Sequence, residues 1–387
     1  MAKFKIRTYN KIAQVGLDKF SDAYQISDSV DDADAIMLRS QNLHDEKISD
    51  SVLAVGRAGA GVNNIPITDL TERGVIVFNA PGANANSVKE LVLAGLLISA
   101  RNIAGAIKYT EDLKGDKLKE QVEAGKKQFA GSELSGKTLG VIGLGSIGYR
   151  VANSGVDLGM KVLGYDPAMT IQNAWQLSAA VQRVEDLEQL VKESDFITIH
   201  VPLLEQTKHL ISSELIGKMR KSASLINFSR DEIVDEKQLV KTLAENKVRN
   251  YITDFPNPIT LNQPGVVSLP HLGASTAEAE DNCAIMVAEQ LQDYLENGNI
   301  QYSVNFPSAV LARKGSKRVT LAHKNKPGVV ASITSIFSDA GINIVELLNK
   351  SRGDVAYSII DIEPNGVPEM VEKKLQSIPE LLKLRTI

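Results

Sequence analysis

Two apolar segments of the chain end in side chains suited to proton transfer and to anion binding. The segment VVSLPH, residues 266–271, ends in His271, and the segment SLINFSR, residues 224–230, ends in Arg230. Imidazole titrates near neutral pH and can exchange a proton with a substrate, while a guanidinium can bind a carboxylate through two parallel hydrogen bonds. The alternatives are a histidine held in a structural role and an arginine that only covers a strand end.

A glycine motif supplies the cofactor chemistry that such a pair needs. The segment TLGVIGLGSIG, residues 138–148, predicts a strand, a GxGxxG turn and a helix, which is the pattern of a dinucleotide site. Asp166 ends the next apolar segment, where its carboxylate would accept hydrogen bonds from the adenine ribose and repel a 2′-phosphate. These features favour NAD over NADP, and a plain glycine turn is the alternative. The predicted cofactor residues of this turn are Gly143, Gly145, Ser146, Ile147 and Gly148.

The elements around these residues predict a doubly wound parallel sheet. From Lys137 onward, strand-length apolar runs alternate with helical segments such as DLEQLVKES and EKQLVKTLAEN. Ligands of such sheets lie beyond the carboxyl ends of the strands. The residues expected at those ends are Gly143, Asp166, Pro202, Arg230, Asp254 and His271. NAD, an arginine and a histidine at one edge are the components needed to oxidise a hydroxy acid.

Length and composition narrow the class of protein. A chain of 387 residues is too long for one compact core, and its net charge of −4 gives no reason to expect a nucleic-acid partner. Cys283 is the single cysteine, which together with the polar start predicts a cytoplasmic protein without a signal peptide. The run LVLAGLLISA is about half of the ~20 residues that a membrane span needs, so no membrane partner is expected. The other histidines lack metal-ligand spacing, and no metal is predicted.

Three further segments predict the remaining organisation. Residues 87–108 read as one long helix, and the charged segment 109–134 as a solvated arm or loop that can grip a second subunit. Residues 306–316 read as a linker. Residues 317–387 predict a βαββαβ unit, in which one helix face comprises Val330, Ile333, Phe337 and Ala340.

Several motifs resemble those of the D-isomer-specific 2-hydroxyacid dehydrogenases. GKTLGVIGLGSIG, NFSRDEIVD and PHLGAST carry the resemblance, which spans nearly all of residues 36–305. LRS, VGRAGAGVNNI and NAPGANANSVKELVLAGLLISARNI narrow it to the D-3-phosphoglycerate dehydrogenases, and the terminal unit resembles an ACT domain. The resemblance implies an NAD-binding Rossmann domain, residues 85–275, inserted in a flavodoxin-like substrate domain, residues 1–84 and 276–305, with the site in the cleft. An ACT regulatory domain, residues 317–387, would follow the linker.

The resemblance also implies roles for individual residues. Arg230 would bind and polarise the carboxylate end of the substrate, and His271 would act as general base in oxidation and as acid in reverse. The implied substrate-binding residues are Arg39, Arg57, Gly59 and Asn84. Further implied cofactor-lining residues are Pro202, Asn227, Ser229 and Asp254. In the ACT domain, His323, Asn325 and Asn343 match positions that bind L-serine across a domain interface in related enzymes; the alternative is an ACT domain that only assembles subunits.

The chain departs from the family where a glutamate usually holds the catalytic histidine. The corresponding segment is TDFPNP, in which Asn257 is the nearest match. An amide oxygen can orient the imidazole ring, but it cannot stabilise imidazolium as a carboxylate does. We therefore expect Asn257 to orient His271, with Glu90 or Asp231 as acids that can substitute for the carboxylate. Lys89 and Asp231 are two further departures, and Asp231 could pair with Arg230.

The leading hypothesis is an NAD-dependent oxidation of 3-phosphoglycerate to 3-phosphohydroxypyruvate at the entry to serine synthesis. A second hypothesis is a reductase of hydroxypyruvate, glyoxylate or another D-2-hydroxy acid. A third, suggested by the absent glutamate, is an NAD-sensing regulatory protein. The arm and the ACT domain both predict subunit contacts, so a homodimer or homotetramer is expected.

Overall fold

The computed structural model describes residues 4–314, 317–363 and 367–387, so the last two residues of the expected linker lie outside the described residues. The strands are β1 (Phe4–Thr8), β2 (Tyr24–Ser27), β3 (Ala35–Leu38), β4 (Ala54–Arg57), β5 (Ile76–Phe78), β6 (Thr138–Ile142), β7 (Lys161–Tyr165), β8 (Gln182–Arg183), β9 (Phe196–Ile199), β10 (Ser224–Asn227), β11 (Asn250–Thr253), β12 (Val266–Ser268), β13 (Lys317–Lys324), β14 (Ile344–Arg352), β15 (Val355–Ile362) and β16 (Leu381–Thr386). The helices are α1 (Gln14–Leu17), α2 (Ile67–Glu72), α3 (Ala85–Arg101), α4 (Ile103–Glu111), α5 (Leu118–Gly125), α6 (Gly148–Asp157), α7 (Ile171–Ala174), α8 (Leu187–Glu193), α9 (Ser213–Lys218), α10 (Glu236–Ala244), α11 (Ala277–Asn297), α12 (Val329–Asp339) and α13 (Glu369–Gln376).

The chain divides into two compact units. Unit 1 comprises Met1–Asn84 and Ala277–Ile387, and unit 2 comprises Ala85–Thr276. Unit 2 is therefore inserted, in chain order, between the two segments of unit 1.

Unit 2 is built on a parallel sheet in the order β12-β11-β10-β9-β6-β7-β8. Counted from β6, this is the 3-2-1-4-5-6 order of a Rossmann fold with one further strand, and the order reverses between β6 and β9. Strands β9 and β10 are buried along their whole length, because helices cover both faces of a parallel sheet. The expected doubly wound sheet is confirmed.

Unit 1 contains two sheets. The first is parallel, in the order β2-β1-β3-β4-β5, which is the flavodoxin-like order. The long helix α11 packs on this sheet through Val287 and Leu291, and a Cβ on Gly56 of β4 would overlap Val287. This glycine therefore permits the close approach of helix and strand. The flavodoxin-like architecture is confirmed.

The second sheet of unit 1 is antiparallel, in the order β14-β15-β13-β16, and forms the expected βαββαβ unit with α12 and α13. Its helix α12 buries Val329, Ile333 and Phe337. The predicted helix face was wrong at both ends. At its start, Val329 is buried in place of Val330, which is half-buried. At its end, Ala340 is exposed because the helix stops at Asp339.

The segment between residues 87 and 134 differs from its prediction. The expected single helix is broken at Asn102, whose φ of 52° ends α3, and α4 continues at an angle of 67°. The charged segment is not a loop throughout, because α5 and a 3-10 turn at Lys126–Phe129 form within it. Tyr109 packs on Phe129 with ring centroids 5.3 Å apart, and its hydroxyl donates to the main-chain oxygen of Gln121 at 2.7 Å. These contacts fold α4 and α5 together.

None of the helices in the described ranges is by itself long and apolar enough to cross a membrane. The helices α3 and α4 meet the length and composition only when taken together, across their bend.

Candidate active site

The glycine turn between β6 and α6 is defined by its backbone. Gly143 has φ 87°, a left-handed conformation that glycine adopts without strain, and a Cβ on Gly148 would overlap the main-chain oxygen of Gly143. A Cβ on Gly145 would have no atom of the described residues within 4 Å. The first and third glycines are thus required by the turn itself, whereas the second leaves open space beside the backbone. Ser146 lies in the turn and Ile147 caps α6.

Asp166, beyond the end of β7, is tied to this turn. Its Oδ2 accepts a hydrogen bond from the main-chain N–H of Leu144 at 2.8 Å, and its Oδ1 accepts one from Ala168 at 2.8 Å. The carboxylate is thereby fixed beside the glycine turn at the edge of the sheet where the strand order reverses. This position suits the recognition of ribose hydroxyls.

Asp254, beyond the end of β11, carries a free acceptor. Its side chain is buried, and its Oδ2 accepts from the main-chain N–H of Gly273 at 2.9 Å. Its Oδ1 is buried without a hydrogen-bond partner. Burial raises the pKa of this carboxyl group, although Gly273, His271 and Arg230 oppose the rise. An unsatisfied buried acceptor favours a ligand that brings an N–H donor, and the carboxamide of a nicotinamide is such a donor.

Arg230 is held on the loop that follows β10. Asn227, the last residue of that strand, donates through Nδ2 to the main-chain oxygen of Arg230 at 2.8 Å, and its Oδ1 accepts from the N–H of Ser229 at 3.1 Å. The Ser229 hydroxyl donates to the main-chain oxygen of Ile199 at 2.8 Å, which ties the loop to β9. The strand ends at Asn227, earlier than the sequence suggested, and a side-chain network rather than the ladder positions Arg230.

His271 lies on a tight turn after β12. Its φ of 44° is left-handed, and its main-chain N–H donates to the main-chain oxygen of Asp254 at 2.9 Å. Its ring packs on Phe255, with centroids 4.6 Å apart, and the guanidinium carbon of Arg230 lies 5.3 Å from the centroid of the same Phe255 ring. Phe255 therefore contacts both of the residues that the sequence singled out first. The structure brings Arg230 and His271 to one aromatic ring.

Asn257 does not contact the imidazole of His271, so its expected orienting role is corrected. Its Oδ1 accepts from the main-chain N–H groups of Ile259 and Thr260 at 3.0 and 3.3 Å. Its Nδ2 donates to Glu236 Oε2 at 2.6 Å and to Asp231 Oδ2 at 3.2 Å. The physical reason is that the Asn257–Pro258 turn uses the amide oxygen locally, while two carboxylates take both amide hydrogens.

The other two departures from the family also have partners. Asp231 accepts from Asn257 and forms no ion pair with Arg230 in the described part of the chain, so the expected pairing is corrected. Glu90 accepts from Asn86 Nδ2 at 2.8 Å, and Lys89 Nζ lies 3.7 Å from the Glu90 carboxylate. Pro202 lies three residues beyond β9, where its main-chain oxygen accepts from the Thr207 hydroxyl at 2.6 Å.

Within unit 1, the expected substrate residues Arg39, Arg57 and Gly59 lie together. Arg57 Nε donates to the main-chain oxygen of Arg39 at 3.0 Å, and the Arg57 guanidinium lies over Gly59, where a Cβ would overlap it. Arg39 forms an ion pair with Glu280 of α11, with an N–O distance of 2.7 Å. This cluster is cationic and partly exposed. Asn84 is half-buried at the end of the first segment of unit 1.

The expected effector residues are not brought to one place within the chain. His323 is buried in β13, where its Nε2 lies 3.1 Å from the Ser358 hydroxyl and 3.2 Å from Asn349 Oδ1. Asn325 donates to the main-chain oxygen of Gly353 at 3.0 Å. Asn343 donates to Glu363 at 3.0 Å, and strand pairing places it at the opposite end of the sheet. Roughly six strand residues separate the two ends, or about 20 Å.

The sequence reading missed Phe255, Tyr251 and Glu236. The Tyr251 hydroxyl donates to Glu236 Oε1 at 2.9 Å and accepts from Asn227 Nδ2 at 3.2 Å. Burial raises the pKa of Glu236, opposed by hydrogen bonds from Asn257 and Tyr251, while nearby Asp231 adds to the rise. The sequence position of Phe255, directly after Asp254 at a strand end, could have identified it, but nothing in the sequence indicates that Glu236 is buried at the start of its helix.

Among the described residues, no group of three or more His, Cys, Asp or Glu side chains is placed to hold a metal ion.

Comparisons with known proteins agree with this geometry. Residues 94–273 match the family model described as D-isomer specific 2-hydroxyacid dehydrogenase, NAD binding domain, and residues 319–383 match the AHAS small subunit-like ACT domain. The D-3-phosphoglycerate dehydrogenase of Escherichia coli is 33% identical over 95% of this chain and 90% of its own length. The enzyme of that name from Methanocaldococcus jannaschii is 36% identical over 87% of this chain, which spans 63% of that relative's length.

A solved structure extends the likeness to three dimensions. The NAD-bound 3-phosphoglycerate dehydrogenase of Entamoeba histolytica superposes with a TM-score of 0.60 at 27% identity, over 79% of this chain and 99% of that one. The expected NAD-binding domain is thereby confirmed. The chain belongs to the family of D-isomer-specific 2-hydroxyacid dehydrogenases, and it combines the NAD-binding domain of that family with an ACT domain.

Proposed function

We propose that this protein catalyses the NAD-dependent oxidation of D-3-phosphoglycerate to 3-phosphohydroxypyruvate, the first step of L-serine biosynthesis. The similarity to enzymes named D-3-phosphoglycerate dehydrogenase over nearly the whole chain carries this proposal. The placement of Arg230 and His271 against the single ring of Phe255 supports it, because anion binding and proton transfer are then available together.

The residues of unit 2 would bind the substrate carboxylate, transfer the proton and bind the cofactor. Arg230 would bind the substrate carboxylate and polarise the C2 oxygen, and His271 would remove the proton of the C2 hydroxyl group. Bound NAD supplies the hydride acceptor. The glycine turn at 143–148 and the amino terminus of α6 would bind its phosphates, and Asp166 would bind its adenine ribose.

The orphaned Oδ1 of Asp254 would accept the carboxamide N–H of the nicotinamide. The Asp254 side chain also accepts the main-chain N–H of Gly273, and its main-chain oxygen accepts that of His271, so this one residue would contact both the cofactor and the turn of the catalytic histidine. Pro202, Asn227 and Ser229 would shape the loops beside the cofactor.

The residues of unit 1 would recognise the remainder of the substrate. Arg39 and Arg57 provide cationic groups for a phosphate, which favours a phosphorylated acid over hydroxypyruvate or glyoxylate. Gly59 would make room for the Arg57 guanidinium, since its own N–H donates to the main-chain oxygen of Arg57 at 2.8 Å, and Asn84 would add an amide contact.

The test measures NADH oxidation with 3-phosphohydroxypyruvate, hydroxypyruvate and glyoxylate, using the wild-type protein and His271→Ala. We expect a preference for the phosphorylated acid and a fall of about 10²- to 10⁴-fold in turnover for the variant, because its general acid is lost. Affinity for NADH should be equal in the two proteins. Preference for an unphosphorylated acid would replace the proposed substrate, and NADH binding without any turnover would identify a sensor.

We further propose that L-serine regulates a cytoplasmic homodimer or homotetramer. His323 and Asn325 lie at one end of the antiparallel sheet and Asn343 at the other, so a site made by all three needs a second copy of the chain.

The arm of α4 and α5 exposes apolar side chains that a second copy can cover, namely Ile103, Ile107, Leu118 and Val122. Mass measurement in solution, and inhibition by L-serine that is lost in Asn343→Ala, test the two parts separately.

A further inference from the structure

A hydrogen-bonded cluster of buried and half-buried side chains adjoins Arg230 and Phe255, and we refer to it as the amide–carboxylate latch. Its members are Asn227, Asp231, Glu236, Tyr251 and Asn257, all within unit 2. The bond between Asn227 and Tyr251 joins the neighbouring strands β10 and β11 through their side chains. The other bonds join these strand ends, the loops that follow them and the first residue of α10. The latch therefore decides how the loop after β10 and the loop after β11 lie against each other.

The amide of Asn257 is the centre of the latch, and its orientation is fixed by its partners. Each hydrogen of Nδ2 is directed to a carboxylate, Glu236 at 2.6 Å and Asp231 at 3.2 Å. The Oδ1 atom accepts from Ile259 and Thr260. A flipped amide would place its oxygen against two carboxylates, so one orientation alone satisfies all of these groups.

Glu236 is satisfied on both of its oxygens. Oε2 accepts from Asn257, and Oε1 accepts from the Tyr251 hydroxyl at 2.9 Å. The side chain is 6% exposed, at the first residue of α10, and Tyr251 is fully buried in β11. Because a buried carboxylate without donors is costly, both partners are needed to keep it in place.

The latch holds main chain on both sides of the Arg230 and Phe255 contact. Asn227 bonds the main-chain oxygen of Arg230 and also reaches the Tyr251 hydroxyl, while Asp231 directly follows Arg230. Phe255 lies two residues before Asn257, and its ring contacts both the Arg230 guanidinium and the His271 imidazole. A shift of the latch must therefore move the ring on which the two proposed catalytic groups rest.

We propose that Glu236 is a positioning residue for the active site, which acts through Asn257 and Tyr251 to hold the loops that carry Arg230 and Phe255. This inference rests on the proposed function, since it assigns Arg230 and His271 to substrate. It also explains why an amide stands at position 257: a carboxylate there would face Glu236 and Asp231 and would leave three acids without a donor between them.

An exchange of acid and amide across the hydrogen bond tests the inference. Asn257→Asp removes both amide hydrogens without a change of shape, and Glu236→Gln removes the buried acid in the same way. In the double variant Glu236→Gln/Asn257→Asp, the new glutamine can donate to the new aspartate and still accept from Tyr251. The control is Glu245→Gln, an exposed glutamate that follows the last residue of the same helix.

We expect kcat/KM for the keto acid to fall about 30-fold in Asn257→Asp, mainly through KM, and about threefold in Glu236→Gln. The double variant should recover about threefold over Asn257→Asp and remain about tenfold below wild type, because the new carboxylate still faces Asp231, to which the Asn257 amide donates at 3.2 Å in the wild-type protein. NADH affinity should fall less than kcat/KM in the three latch variants, because the glycine turn lies outside the latch, and it should be unchanged in Glu245→Gln.

The inference is wrong if the double variant is as poor as Asn257→Asp, or if Asn257→Asp retains wild-type activity. The assay uses whichever keto acid the wild-type protein reduces fastest. A failure of the proposed substrate thus appears in the wild-type measurement, whereas a failure of the latch appears only in the ratio between variants. If Asn257→Asp does not fold, the double variant must recover folded, NADH-binding protein.

Discussion

The glycine turn at 143–148 and the loop at 254–260 follow strands of the same parallel sheet, yet different parts of the chain define them. The glycine turn is fixed by main-chain geometry, through a left-handed Gly143 and the close approach of Gly148 to the Gly143 oxygen. The second loop is fixed by side chains, through the amide of Asn257 and the buried carboxylate of Glu236. The backbone-defined turn depends on the absence of a Cβ at Gly143 and Gly148 and not on the side chains around it. The side-chain-defined loop depends instead on a match between every hydrogen-bond donor and its acceptor.

The largest effect should come from a methyl group placed in the backbone-defined turn. Gly148→Ala puts a Cβ onto the main-chain oxygen of Gly143, so the turn or α6 must move. We expect a loss of about 3 kcal/mol in the free energy of unfolding, together with loss of NAD binding. Chemical denaturation and NADH fluorescence measure the two effects.

Gly145→Ala is the matched control for that variant. Its Cβ would lie more than 4 Å from every atom in the part of the chain that the structure describes, so stability should stay within about 0.5 kcal/mol of wild type. If a dinucleotide phosphate lies against this backbone, NADH affinity should still fall. Equal stability losses in the two alanine variants would contradict the distinction between the glycines.

This contrast also explains what the sequence could predict. The glycine turn and Asp166 were identified correctly as neighbours because backbone requirements leave a spaced pattern of residue types. The apolar runs and the family resemblance predict a doubly wound parallel sheet and a flavodoxin-like domain, whereas the strand orders come from the structure. The latch was not predicted, because it joins Asn227, Glu236, Tyr251 and Asn257 from four separate segments whose spacing carries no periodicity. The sequence predicts a role for Asn257 beside His271, whereas in the structure its amide donates to two acids.

The break in the predicted long helix has a similar origin. Residues 87–108 have continuous helical character, and the turn at Asn102 depends on distant groups. Its Nδ2 donates to the main-chain oxygens of Phe129 and Ala130, and Arg249 donates to Asn102 Oδ1 at 3.3 Å. Contacts from remote segments therefore stabilise a left-handed residue that local propensity alone would not select.

The next effect concerns the side-chain-defined loop. Tyr251→Phe removes the hydroxyl that donates to Glu236 and accepts from Asn227, and both partners lose a bond in a buried place. We expect a loss of about 2 kcal/mol in the free energy of unfolding, and a rise in KM for the keto acid. Tyr24→Phe is the control, since its hydroxyl donates to Glu296 in unit 1. A comparable rise in KM for that control would show that the effect is not specific to the latch.

A smaller effect should separate cofactor binding from stability at Asp254. Asp254→Asn can keep an oxygen for the Gly273 N–H, but it turns the free Oδ1 acceptor into a donor. We expect NAD affinity to fall about tenfold, or about 1.4 kcal/mol, because two donors then face each other. Stability should not fall, since an ionised buried carboxylate is removed. Unchanged NAD affinity, measured by calorimetry, would show that the Oδ1 atom does not meet the cofactor.

The smallest effect is a pH dependence at His200, whose main-chain oxygen lies behind Gly143. Burial lowers the pKa of its imidazole from 6.5 to about 3, and its Nδ1 has no hydrogen-bond partner in the described chain, while Nε2 lies 2.9 Å from the Thr198 hydroxyl. Between pH 6.5 and about 3 the unfolded chain binds a proton at this residue that the folded chain does not. Stability from this group is therefore complete above pH 6.5 and falls as the pH is lowered.

His200→Gln keeps a donor for Thr198 and removes the titration. We expect the unfolding free energy of the wild-type protein to fall by about 0.7 kcal/mol more than that of the variant between pH 7 and pH 6. The rest of the sequence is common to both proteins, so its contribution cancels in the difference. Parallel stability curves over this range would mean that water reaches the ring. The side chain of the residue whose main chain lies against Gly143 would then be hydrated, and the glycine turn would be less buried than the geometry indicates.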